Sequence, residues 1–141
     1  MLKSVVQPDD PRQRSVRAGL ADRAMHAALA GLFLAGGVGV ILYSGPGRAF
    51  VRGSVGDVLV VPFLVHLLGI VIPSRHALRI AAVGVFAIGV ELFQLAELVG
   101  PDAPAWLHLT LGSTFDLWDL VGYAVGMAVA SGIGTLWTRL R

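Results

Sequence analysis

The sequence predicts an all-α integral membrane protein, a four-helix bundle with both termini in the cytoplasm. Three observations predict it: the composition, the length of the apolar runs and the placement of the basic residues. Hydrophobic residues make up 55% of the 141, charged residues only 14%, and mean hydropathy is +0.75. A soluble domain carries about 25% charge. This chain has too few polar residues to cover a water-facing exterior, and it is too apolar for disorder.

Four apolar runs, residues 25–43, 55–72, 78–98 and 117–137, are each long enough to cross a ~30 Å hydrocarbon layer as a helix with modest tilt. None alternates polar with apolar as a barrel strand would. The first run exceeds the ~7–15 residues of a signal-peptide core. Ser44-Gly45-Pro46-Gly47 follows it in place of a small-residue cleavage site, so it is read as a retained span. Residues 22–138 are then one four-span domain. Residues 1–21, with two prolines and the run Asp9-Asp10-Pro11-Arg12-Gln13-Arg14, are expected to be a disordered basic tail against anionic lipid.

Basic residues set the orientation. Lys3, Arg12, Arg14, Arg17 and Arg23 precede the first span, Arg75 and Arg79 lie at the turn between spans two and three, and Arg139 and Arg141 follow the fourth. Only Arg48 and Arg52 lie on the other side. The reading is N-in/C-in, in a bacterial inner membrane; ten arginines against one lysine, amid abundant Ala, Gly and Val, fit a GC-rich bacterial genome. The basic residues form no shared patch, so nucleic acid is not expected as a partner. With no cysteine there is no disulfide, thiolate metal site or cysteine nucleophile.

Small residues recur at Gly122, Gly126, Ala130 and Gly134 in the fourth span, and at Gly31, Ala35 and Gly39 in the first. Such ladders let helix backbones approach closely in lipid. Packing of spans one and four inside one chain is the expectation, and a homodimer through the Gly122/Gly126/Ala130/Gly134 face is the alternative. Pro62 removes the bond to the Val58 carbonyl and should kink the second span. His66, one turn on, is expected to bond a neighbouring helix; with no second histidine in its span, no metal is expected.

The intramembrane acids carry the functional argument, because each costs about 2.5–3.5 kcal/mol at the helix centre on insertion scales. Glu91 lies thirteen residues into the third span, roughly 20 Å from its cytoplasmic edge. Gln94 follows one turn on. Asp116, Asp119 and Tyr123, spaced by three and four, share one face of the fourth span, which descends from outside. Asp57 opens the second span from the same side. These side chains can converge in the outer half of the membrane as a ligand- or ion-binding cluster, with Arg48 or Arg52 folding back as counter-ion. For Asp57 and Asp116 helix capping is a competing account, since Ser54 and Ser113 stand three residues before them. Mid-span Glu91 has no such account. The loop 100–116, with Trp106 and His108, is too short to cross and suits the interface.

Gly56-Asp57-Val58-Leu59-Val60-Val61, Glu91-Leu92-Phe93-Gln94 and Gly112-Ser113-Thr114-Phe115-Asp116-Leu117-Trp118-Asp119 with Tyr123 and Gly126 resemble the small bacterial membrane proteins of the DUF2809 family, over Met25 to Trp137. The resemblance implies a four-helix inner-membrane protein and carries no activity with it. A fainter similarity is to VanZ-like proteins of the cell envelope, through Glu91, Gln94, Asp116, Asp119 and Gly126. Tyr123 stands where that pattern has asparagine, and the arginine usual before its paired acids is missing.

Three functions are therefore weighed. The first is a membrane protein whose outward cluster binds an envelope lipid, precursor or ion. The second is a small proton-coupled transporter using Glu91. The third, an intramembrane enzyme, has the least support: no G-x-S-x-G, H-E-x-x-H or phosphate loop is present. No catalytic residue, cofactor or metal is assigned. The expected partners are membrane lipids and a small-molecule or envelope-lipid ligand.

Overall fold

A computed structural model describes residues 10–72, 74–96, 104 and 117–140. It is all helical among these residues, with four helices long and apolar enough to cross a membrane. They are α1 (Pro11–Leu42), α2 (Arg48–Val71), α3 (His76–Leu95) and α4 (Leu117–Arg139).

The helix starts differ from the sequence reading in two places. α1 begins at Pro11, so residues 11–21 of the expected disordered tail are helix. The cause is local: the Asp10 side chain accepts from the Arg12 N–H at 3.0 Å, and proline takes the first helical position. α2 begins at Arg48, seven residues before the apolar run. Gly47, at φ +71°, turns the chain into it. Val51–Val55 then forms one wide π turn that runs on into regular helix at Gly56.

The second span is the hub. α1 packs along one side of α2 and α4 along the other, while α3 closes against α2 and α4. The core is Val61 and Val65 of α2, Val83 of α3 and Ala130 of α4, with Leu64, Leu68, Ile80, Tyr123 and Met127 around it. Leu32, Leu34, Ile41, Val85, Phe86, Leu92, Trp118 and Leu136 are exposed, while His26, His66, Arg79, Glu91 and Gln94 are buried. Apolar side chains outside and ionisable ones inside is the arrangement hydrocarbon imposes.

The α4 ladder is used within the chain, and its partner is span two rather than span one. A Cβ at Gly122 would lie 2.7 Å from the Asp57 Cβ. At Gly126 it would lie 2.8 Å from both the Val58 carbonyl oxygen and the Val61 Cβ. The Val58 carbonyl is the one that Pro62 deprives of its helical donor, and only a glycine lets α4 approach it. α2 runs unbroken through Pro62. The α1 ladder faces outward: Gly31, Ala35 and Gly39 are exposed.

Gly126→Val should lower the unfolding temperature of the detergent-purified chain by several degrees, since overpacking costs about 1–3 kcal/mol. Gly132→Ala should leave it unchanged or slightly raised, because a methyl there meets nothing within 4 Å. Circular dichroism melts of the two variants check both.

Candidate functional site

Helical periodicity builds one wall of the site. The buried residues of α3 are Arg79, Val83, Gly84, Ala87, Glu91 and Gln94, a single stripe facing α2 and α4. Glu91, at 2% exposure, is the most enclosed acid among the described residues, and Gln94 is buried one turn beyond it. The fourth span supplies the partner: the Tyr123 hydroxyl donates to Glu91 Oε1 at 3.1 Å. Asp57, Glu91 and Asp119 all lie close enough to that hydroxyl for their charges to act on it. The sequence reading had these side chains able to converge in the outer half; the structure gathers Asp57, Glu91 and Asp119 around the Tyr123 hydroxyl.

Capping does not explain Asp57. It lies well inside a helical segment that starts at Arg48, and the residue before Gly56 makes no side-chain cap bond. A π turn adds one residue per turn, which rotates the residues beyond it by about 100°. This sets the phase between Arg52, exposed on the loop side, and Asp57, packed on Gly122. Asp119 sits in the first turn of α4, where an acid also suits the helix dipole.

The expected counter-ions are elsewhere. Arg48 is exposed at the start of α2, and the Arg52 guanidinium donates to the Ile41 carbonyl at the end of α1. Arg52 thereby closes α1 onto α2 above the acids. Asp116 and the loop 100–116 expected at the interface, apart from Pro104, lie outside the described residues.

A cleft of about 410 Å³ opens beside the acids, between α1 and α3 and floored by α2. Arg52, Asp57 and Tyr123 line its polar end; Phe33, Gly37, Phe63, Leu64, Phe86 and Val90 line the rest. Its size falls within the ~300–1,000 Å³ of small-molecule sites. Most of its wall belongs to membrane-spanning segments, so its apolar part meets lipid tails.

A second polar group lies at the other end of the spans; His66 bonds a neighbouring helix as the sequence suggested, but its partners were not foreseen. His26 of α1 and His66 of α2 face each other with Nδ1 atoms 2.8 Å apart, and Arg79 of α3 lies 3.1 Å from His26 Nε2. Phe33 stacks on the His66 ring, and His76 lies 6.3 Å from it, centroid to centroid. Arginine only donates. His26 Nε2 therefore accepts, and neutral His26 carries its proton on Nδ1 and donates to His66. Neutral His66 then carries its proton on Nε2, a buried atom with no hydrogen-bond partner among the described residues. His76 Nε2 donates to the Ala130 carbonyl at 2.9 Å, and Trp137 Nε1 donates to Asp22 at 3.2 Å. Gly69 makes room for this layer: a Cβ there would lie 2.5 Å from Arg79 Nη1 and 2.6 Å from the His26 ring. No group of three or more His, Asp or Glu among the described residues is arranged to hold a metal ion.

Removing the tyrosine hydroxyl should leave a buried acid one donor short. Tyr123→Phe should cost about 1 kcal/mol, the usual scale for a hydrogen bond inside a membrane bundle. Glu91→Gln keeps a carbonyl oxygen to accept the same bond and discards a buried carboxylic group, so it should melt at or above the wild type. Thermal unfolding of both variants and of the double variant checks this pair.

Residues 47–127, more than half of the chain, match a family model described as a protein of unknown function (DUF2809), and the chain belongs to that family. No curated protein matches it, and no solved structure does. The matched segment holds Asp57, Glu91, Gln94, Asp119 and Tyr123 together; His26 falls outside it.

Proposed function

We propose that this member of the DUF2809 family is a bacterial inner-membrane protein that binds a lipid or lipid-linked envelope precursor in its outer half. The observation that carries the reading is the cleft itself, which joins an apolar wall within the spans to Arg52, Asp57 and Tyr123 at one end. An amphiphile has that shape and polarity. Its acyl chain lies between Phe33, Phe63 and Phe86, and its head group sits at the polar end.

The chemistry of that end narrows the head group. Carboxylates accept hydrogen bonds and attract cations. Asp57, with Asp119 and the Glu91–Tyr123 pair behind it, suits hydroxyls of a sugar or glycerol, or an amine. Arg52 adds a donor at the rim. With both termini inside, as the basic residues favour, this end faces outward, where envelope precursors are exposed. The fainter VanZ-like pattern of Glu91, Gln94, Asp119 and Gly126 agrees with an envelope role.

Gly37 gives the direct test. It lines the cleft, and a Cβ there meets nothing within 4 Å, so Gly37→Leu fills the space without straining the helix. Native mass spectrometry of the detergent-purified chain should show one retained lipid in the wild type. That lipid should be lost in Gly37→Leu while the unfolding temperature holds. Equal retention in the two proteins would remove the cleft as the site. Proton-coupled flux in liposomes that disappears with Glu91→Gln would make Glu91 the titrating group of a carrier instead.

A further inference from the structure

We propose that the opposite end of the bundle binds a phosphate group, at a site formed by Arg23, Ser74 and Arg79 beside Gly69. A cavity of about 290 Å³ lies there, and Asp22 completes its polar lining. It shares no lining residue with the outer cleft, so this inference does not depend on the outer site.

Four features converge on an anion. Arg79 is 8% exposed, and its Nη1 is committed to the neutral acceptor His26 Nε2. That bond satisfies a proton, and the negative charge acting on Arg79 is that of Asp22 on the same wall. Its Nε is buried and has no hydrogen-bond partner among the described residues, and a buried donor left over from a charged group is costly. Arg23 brings a second guanidinium from the exposed side of α1. Ser74, two residues before the start of α3, adds its hydroxyl to the lining, and the positive end of the α3 dipole lies beside it.

Asp22 is the acid on the wall, and its Oδ1 accepts from Trp137. Two guanidinium groups against one carboxylate leave the site cationic. Arg23 stands two residues before the apolar run that starts at Met25, which puts the cavity at the level of phospholipid head groups. The phosphate is either that of an anionic lipid or free phosphate from the aqueous side.

Titration calorimetry of the full chain in detergent separates these sources. The probes are dioctanoyl phosphatidylglycerol, dioctanoylglycerol and inorganic phosphate. The titrations are made on Gly37→Leu, which fills the outer cleft and so removes lipid binding there; we expect saturable binding of the phosphatidylglycerol and none of the dioctanoylglycerol. Arg23→Gln and Arg79→Gln should each weaken that binding at least roughly tenfold, because each removes a charge-assisted bond. Binding of inorganic phosphate with the same arginine dependence supports the site and assigns it to free phosphate. Arg79 is buried, so Arg79→Gln is judged only if its circular dichroism matches the wild type; Arg23→Gln, on an exposed position, decides otherwise. Equal binding of the dioctanoylglycerol, no binding of any phosphate probe, or full binding by Arg23→Gln overturns the proposal.

Discussion

Hydrocarbon offers a polar side chain no water, and the rest of this structure depends on that constraint. A titratable group within a span must find its partner on another helix or in a cavity. In this chain the groups turn inward in two layers. Glu91, Tyr123, Asp57 and Asp119 form one near the loop end of α2. His26, His66, His76 and Arg79 form the other near its far end. Val61, Val65, Val83 and Ala130 fill the space between them. Directional bonds join α3 to α4 in the first layer and all four helices in the second, in a medium where the hydrophobic effect does not drive helices together.

The same constraint explains why the second span is central and why glycine is abundant at its contacts. α2 contributes Asp57 to one layer and His66 to the other, so neighbours from both sides must come close to it. Gly122 and Gly126 let α4 reach Asp57 and the Val58 carbonyl, and Gly69 leaves space for Arg79 and His26. The proline at position 62 is part of this packing: the carbonyl it frees lies at the closest approach of α4.

Much of the architecture was legible because composition and run length alone decide membrane spans. Glu91 and Tyr123 were legible for a related reason. Rise per residue converts sequence position into depth, and two polar groups at one depth in a thin bundle tend to meet. What depth cannot supply is rotation about each helix axis. His66 was expected to bond another helix, but its partners were missed on that account: His26, His66 and His76 stand on three spans, and nothing in the spacing says they face inward together. The ladder in α4 announced a close approach without naming its partner. Ser54-Val55-Gly56-Asp57 has the form of a helix start, but the helix already runs from Arg48 through a π turn, so local form was overridden by continuity. The early start of α1 did carry a signal, Asp10-Pro11, hidden inside a run read as charge alone.

We propose that the acid layer and the cleft beside it together hold an amphiphile. Nuclear Overhauser contacts between lipid and protein, measured on the full chain in nanodiscs, test it most directly. The account predicts contacts from head-group protons to the Tyr123 ring and the Gly56 amide, with acyl protons of the same molecule near Phe63. Acyl contacts confined to outward residues such as Leu32 and Leu92, with no head-group contact at Tyr123, would contradict it.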